Sequence, residues 1–434
     1  MPPGALAAAN VLSVRVIIAG AGIAGLTAAL SLHAAGIEPL VLDAARELRP
    51  LGVGINLLPH AVRELTELGL AGPLAAAGIE TAEQAHFDRH GNLIWSEPRG
   101  TALGYRWPQY SVHRGQLQMI LLEAVRGRLG AGAVRTATTV TGFTERDGSV
   151  RVHAAGRDDG QPASLDADVL VGADGLYSAV RAALHPDEAP PRWSGVTMWR
   201  GIAEAAPFLS GATVAICGSN AAAKFVAYPV ARAAGGALLV NWVAEAMVGG
   251  QEAPARPDWT RAGLLADVMA WFADWKLGWL DVPGLIAGSP QVLEYPMVDR
   301  DPLPWWGRGR VTLIGDAAHP MYPIGSNGGS QAIIDARVLA ASLAASPGGA
   351  PAALAAYEKA RLGPASAIVL ANRDMPGDRV LSEVARRAPE GFTRVEDVMS
   401  PGELATLRDA YRATSLQDAA ALNDRPPWLP PVAP

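Results

Sequence analysis

The sequence predicts an α/β fold built from a parallel-sheet domain, an inserted β-sheet domain and a helical C-terminal segment. Three observations predict it. The apolar, β-branched run "VRVIIAG" passes directly into the glycine turn "GAGIAG" and then into a helical pattern. Two further strand ends marked by Asp and Gly follow at long range, in "VLVGADG" and "VTLIGD". Between them, from about Pro190 to Asp299, the chain changes to strand-like runs that hold seven of its 12 tryptophans.

Taken in order, Val14 to Gly20 reads as a buried central strand, because its apolar residues run without alternation. The helix after Gly25 and the strand "EPLVLD" complete a βαβ unit ending at Asp43. Val16 to Ile37 is uncharged and of membrane-spanning length, but Gly20, Gly22, Gly25, Gly36 and His33 divide it into strand, turn and helix. A helix is expected after Pro59, where Val62, Leu65 and Leu68 share a face. "HFDRHGNLIWSEP" reads as a hairpin turning at Arg89 to Asn92, and "HRGQLQMILLEAVRGRL" as a helix. Strands follow around Val134 to Thr144 and Val150 to Ala154. In the insert, Trp271, Trp275 and Trp279 are spaced four apart, which predicts a helix turning tryptophan toward a core. After Pro302 come the strand "GRVTLIGD" and helices from Gly328 to the mid-340s and from Ala352 to Asn372; the last sixty residues wrap the surface. The expected boundaries are 1–186, with a strand pair near 80–108 that belongs with the insert, then 187–300, 301–373 and 374–434.

Composition narrows the function. With 434 residues, 50% hydrophobic and 18% charged, the chain is that of a globular protein. A formal net charge of -6 offers no basic field for nucleic acid. The single cysteine, Cys217, precludes an intrachain disulfide and a multi-cysteine zinc site; it reads as a small buried hydrophobe. No metal and no membrane contact are expected. "MPPGALAAANVLS" lacks a basic n-region, so a cytoplasmic monomer or homodimer is expected.

The chemistry is carried by the glycines. In "GAGIAG" the first, Gly20, permits a tight turn, Gly22 lets a pyrophosphate approach the backbone, and Gly25 lets the helix pack closely. Helix N–H groups then face the anion. Asp43, eighteen residues beyond Gly25 at the end of the next strand, is placed to accept from a ribose hydroxyl. Alternation in "TMWRG" puts Met198 and Arg200 on one face and Trp199 on the other, and an inward Arg200 suits a carboxylated ligand. His319 and His113 read as groups that order their loops by hydrogen bonds.

"GAGIAG", "VGADGLYSAVR" and "LIGDAAHPMYPIGSNGGSQAIID" together resemble the three fingerprints of the single-component (group A) FAD-dependent aromatic hydroxylases, typified by para-hydroxybenzoate hydroxylase. The resemblance spans about Val14 to Asn372. "RPLGVGINLLPHAV", "YSVHRGQLQMILL", "GVTMWRG" and the run from Tyr295 to Ile333 are similar to the methylphenazine-carboxylate monooxygenase branch.

That resemblance implies an FAD-binding Rossmann-like domain of the glutathione reductase type around an inserted substrate domain. It implies that Gly20, Gly22, Ile23, Ala24 and Gly25 hold the pyrophosphate and that Asp43, one methylene shorter than the Glu of many relatives, holds the adenosine ribose. Gly54, Arg114, Asp174, Gly175 and Gly315 would line the FAD, with Asp316 on the ribityl chain. Gly325, Ser326, Asn327, Gly328 and Gly329 would meet the flavin ring, and Pro323, Gly325 and Asn327 would form its wall. The implied reaction takes NADH or NADPH, NADH by analogy with the branch, as a transient donor and dioxygen as oxidant. A flavin C4a-hydroperoxide would hydroxylate, or decarboxylate and hydroxylate, an aromatic or heteroaromatic ring in bacterial secondary metabolism. No side-chain nucleophile or base is expected. Met198, Arg200, Tyr228, Trp242, Tyr295 and Pro320 are the expected substrate contacts. Epoxidation, Baeyer-Villiger oxidation and a non-catalytic flavin-binding role are the alternatives.

Overall fold

The structure, a computed structural model, describes residues 15–157, 160–249, 261–346, 348–415 and 418–430; the N-terminal leader reading and Trp259 lie outside them. Arg15–Ala19 is the middle strand of a five-stranded sheet ordered Val311–Leu313, Val169–Gly172, Arg15–Ala19, Glu38–Leu42 and Val134–Arg135. Every pair in it is parallel. The residues after Arg15 are all buried, as a strand covered on both faces requires. Helix Ile23–Ala34 packs against both Arg114–Leu129 and Asn327–Ala345 beside this sheet. An antiparallel sheet of Thr138–Arg146, Ser149–Gly156 and Pro162–Ala167 covers the strands elsewhere. Its last strand has no sequence signal, because it is an exposed edge whose residues face water nearly throughout.

The second sheet has seven strands, in the order Val292–Asp299, Arg192–Ala205, Leu238–Met247, Ala223–Arg232, Thr213–Gly218, Glu83–Phe87 and Leu93–Pro98. The hairpin between residues 83 and 98 thus extends the insert's sheet, by a parallel pairing with Thr213–Gly218. One face is dry and helix-covered, with Trp199, Phe225, Trp242, Phe272 and Trp275 in a single cluster. The opposite face carries Met198, Val243 and Tyr295, which cluster with Val53 and Tyr322 of the first domain. That face looks toward the glycine loops.

The tryptophan spacing is corrected here. The helix is only Leu265–Phe272, and Trp271 on it is 38% exposed. Trp275 is buried against Phe272 from beyond the helix end, and Trp279 lies between the short paired strands Lys276–Leu277 and Leu280–Asp281. Tertiary packing overrides the local period, because chain that leaves a helix can still reach the same core. Cys217 is buried in a strand, where loss of solvent pushes its thiol far above the usual range. No helix among the described residues is long and apolar enough to cross a membrane.

The C-terminal helices Pro376–Arg387, Pro401–Ser415 and Ala419–Asp424 are fastened by buried charge. Arg63, 3% exposed, donates to the carbonyls of Leu422 and Arg425, and Arg425 pairs with Glu64. Glu64 is shared with the fully buried Arg337, which also reaches Glu67 at 3.0 Å. His60 lies next to this network. Burial, then the nearby Arg361 and Arg425, lower its pKa to about 3. It stays neutral in the fold while the unfolded chain takes up a proton below about pH 6.5, where an ordinary histidine titrates. The unfolded state binds more protons in that window, so stability falls as pH drops from 6.5 toward 3. His60→Leu should remove about 1.4 kcal/mol per pH unit of this slope, measured by urea unfolding at several pH values; identical slopes in the two proteins would refute the assignment.

Candidate active site

Two glycines bring the first two motifs together. Gly20 has φ +105°, and a Cβ there would stand 2.5 Å from the Ala173 carbonyl oxygen, so the turn presses on "GADG". A Cβ on Gly25 would lie 1.9 Å from the Gly20 oxygen, so the helix can start this close only with glycine. Gly22 differs from both: nothing lies within 4 Å of where its Cβ would be. It precedes helix Ile23–Ala34 with no side-chain cap, which leaves the first N–H groups, at Ile23, Ala24 and Gly25, for an anion. Asp43 accepts the N–H of Ala21 and of Ala45, each at 2.7 Å, so its carboxylate is held beside the turn with lone pairs to spare for a ribose.

Asp174, expected at the cofactor, also holds its own motif together. Its carboxylate accepts from Ser178 Oγ at 2.5 Å and from the N–H of Ala179 at 2.7 Å, capping helix Ala179–Leu184; burial raises its pKa. The neighbouring Gly175, at φ +78° with open space beside it, is what this motif exposes. Arg181, 1% exposed, then donates to the carbonyls of Ala317 and Ala318, tying the second motif to the third.

The third motif turns at Gly315, whose φ is +57° and whose Cβ would meet Ala24 and Ala332 at 3.0 and 3.1 Å. Asp316 follows, exposed and without a side-chain partner among the described residues. The turn is held from behind by Asp335, which is fully buried. Asp335 accepts from Gly315 N at 2.9 Å, His319 Nε2 at 2.5 Å and Arg361 Nε at 2.7 Å. Burial opposes its charge, but His319 and Arg361 outweigh burial and hold its carboxyl below the usual range. Pro320 is buried and Pro323 exposed on the loop beyond. Gly325 and Ser326 both take left-handed conformations, at φ +67° and +57°, and lead into helix Asn327–Ala345 without a side-chain cap. Among the described residues, the N–H groups of its first turn, at Asn327, Gly328 and Gly329, have no side-chain acceptor, and the buried Asn327 Nδ2 has none either. Gly329 sits against Ile55, since a Cβ there would be 2.7 Å from its Cδ1.

The insert's inward face completes the site. Gly54 N donates to Asn241 Oδ1 at 2.7 Å, and the Gly54 carbonyl accepts from Arg200 Nη2 at 2.9 Å. Arg200 also donates to the oxygens of Tyr228 and Tyr295. No acidic side chain pairs with it among the described residues, and its Nε is buried without an acceptor. Arg114 is exposed at the start of its helix, with its side chain beside Gly52. Met198, Arg200, Tyr228 and Tyr295 therefore share the face that looks toward the glycine loops. Trp242 does not. Fully buried, it stands on the opposite face with Phe225, and its Nε1 donates to Ser289 at 2.7 Å. Strand alternation is the reason: the residue next to it, Asn241, is the one turned inward. Neither Asn241 nor Asp335 stands out in the sequence: the alternation of "LVNWVAEA" admits the first on the inward face, while a lone Asp inside a helix carries no signal.

FAD fits this arrangement on three observations: the uncapped turn at Gly22, the unpartnered Asp316, and the orphaned donor of Asn327 beside an uncapped helix start. The fold and site thus define a flavoprotein. Residues 13–281 and 298–371 match the family described as FAD binding domain, and the chain belongs to it. Phenazine 1,6-dicarboxylic acid hydroxylase PhzS of Lysobacter antibioticus is 51% identical over 402 residues, 92% of this chain and 96% of that one. 3-Amino-4-hydroxybenzoate 2-monooxygenase PtnB3 of Streptomyces platensis is 36% identical, covering 80% of this chain and 84% of its own. Klebsiella pneumoniae HpxO, solved with FAD and uric acid, superposes with a TM-score of 0.71 at 26% identity, over 92% of this chain and 96% of its own. This chain is an FAD-dependent monooxygenase of the single-component aromatic hydroxylase type, using NAD(P)H and dioxygen to hydroxylate a small aromatic or heteroaromatic molecule.

Asp316→Ala should lower flavin content of the purified protein while leaving its circular dichroism unchanged and the apoprotein's unfolding free energy within about 0.5 kcal/mol of the parent, as for an exposed residue. Full flavin occupancy in that variant would rule out contact between Asp316 and the cofactor.

Proposed function

We propose that this enzyme hydroxylates a carboxylated, fused heteroaromatic ring of the phenazine type, replacing a ring carboxylate by hydroxyl. The observation that carries the reading is Arg200: a guanidinium on the inward face with two tyrosine oxygens and a carbonyl as partners, but no carboxylate. A cation held this way, without an anionic partner, suits a substrate carboxylate. The similarity to a phenazine dicarboxylic acid hydroxylase supports the same substrate class.

Bound FAD, reduced by NAD(P)H, would supply the activation of dioxygen. The protein's own groups orient the reactants and exclude water. The turn Gly20 to Gly25 and Asp43 hold the pyrophosphate and ribose, Gly175 and Gly315 bring backbone to the cofactor, and Asp316 takes the ribityl chain. Gly54 and Arg114 line its other side. The uncapped N–H groups from Asn327 to Gly329 stabilise negative charge on the flavin's pyrimidine edge. Pro320 and Pro323 stiffen the flavin loop, and Met198, Tyr228 and Tyr295 pack on the ring while Arg200 fixes its direction. NADH is the proposed donor, and the proposed setting is the cytoplasm, where a lone buried Cys217 has no call for an oxidising compartment. The working unit is a monomer or homodimer.

The test is NADH oxidation by FAD-loaded protein with phenazine-1-carboxylate or phenazine-1,6-dicarboxylate under labelled dioxygen. Stimulated oxidation with label in the product is expected; no stimulation by either acid refutes the substrate. Arg200→Met should raise KM for the carboxylate by roughly ten- to a hundredfold, the value of a hydrogen bond to a charged group. The affinity for unsubstituted phenazine should not change.

A further inference from the structure

The geometry points to Met375 as the residue that sets how long a ring system the substrate chamber accepts, an inference that rests on the chamber lying over the Arg200 face. Strand register defines the two ends of that face. Toward one end, Asn241 and Tyr228 are paired and meet Gly54. Toward the other, Met198 is paired with Glu245, and Glu245 with Lys224. This second end is closed by the C-terminal segment, which the sequence marks only as surface wrapping.

Met375 stands immediately before helix Pro376–Arg387 at φ +44°, a left-handed conformation that L side chains rarely adopt. Its side chain packs onto the cluster of Met198, Val243, Tyr295 and Tyr322, and its sulfur lies 3.6 Å from Asn220 Nδ2. The chain on both sides is pinned. Asn372 Nδ2 donates to the Tyr322 carbonyl at 3.1 Å, so the wall is attached to the flavin loop. Arg373 reaches Asp299 at 2.6 and 3.1 Å and Asp301 at 2.8 Å, attaching it to the end of the sheet's edge strand. Asp378 accepts the Asn220 N–H and lies 3.6 Å from Lys224 Nζ, which itself pairs with Glu245 at 2.9 Å. Lys224 and Glu245 are both buried, so releasing Asp378 would disturb a charge set removed from water. Flavin loop, edge strand and hairpin thus converge on one residue held in an uncommon backbone conformation, and what they present to the chamber is a thioether. Such a side chain is polarisable and suited to the edge of an aromatic ligand.

Binding is read from the perturbation of flavin absorbance when FAD-loaded enzyme is titrated with benzoate, 1-naphthoate and phenazine-1-carboxylate, in the parent and in Met375→Trp and Met375→Ala. The tryptophan variant should bind the three-ring acid at least about tenfold more weakly, the scale on which an apolar pocket rejects excess length, and bind benzoate as the parent does. The alanine variant should take a four-ring carboxylate that the parent excludes. The role is overturned if both variants keep the parent's order of affinities, or if tryptophan weakens all three acids alike. A parent enzyme that binds none of the three refutes the underlying substrate reading and the Met375 role with it.

Discussion

The reactive end of this protein depends on one buried carboxylate. Asp335 gathers a backbone N–H, an imidazole and a guanidinium from three separate elements, and so joins strand end, flavin loop and two helices at a single point. A buried anion with so many donors is stable because each lone pair replaces a hydrogen bond lost from water. Removing any donor would leave charge uncompensated, so Gly315, His319 and Arg361 hold their places mutually. Asp316 is free to face a ligand because its neighbours are this firmly held.

The same economy recurs at the C-terminus. Glu64 with Arg337 and Arg425, and Lys224 with Glu245 and Asp378, are buried charge sets that each join a C-terminal helical segment to an element from another domain. Breaking such a set is costed at several kcal/mol, whereas an apolar replacement of the whole set can be neutral. Their effect is therefore less on net stability than on where the segment must sit. That placement brings Met375 against the sheet face that carries Met198, Val243 and Tyr295.

Glycine-based features were legible in the sequence because they have one physical meaning each. Gly20 and Gly25 stand where a Cβ would strike backbone, and Gly315 takes a left-handed turn tight against Ala24 and Ala332. The parallel strands were legible for a similar reason, since burial on both faces leaves an unbroken apolar run. The edge strand Pro162–Ala167 was not, because a strand facing water carries no such mark. Trp242 was assigned to the wrong face, although its register opposite Gly201, where a Cβ would strike its ring, gives the reason for its burial. Alternation states that adjacent residues face apart, but not which set faces the cofactor.

By itself the sequence determined the chemistry-bearing motifs: the glycine turn with Asp43, the two returning strand ends, and the family these imply. Those are local rules, in which a few adjacent residues suffice for the geometry. Tertiary structure alone decided that Asp174 caps a helix, that Asn241 rather than Trp242 turns inward, and that Asp335 holds the loop before Asp316. It alone brought Met375 against the cluster that joins Val53, Met198, Tyr295 and Tyr322. These outcomes depend on register and on buried charge meeting across long stretches of chain, and no periodicity within a segment encodes either.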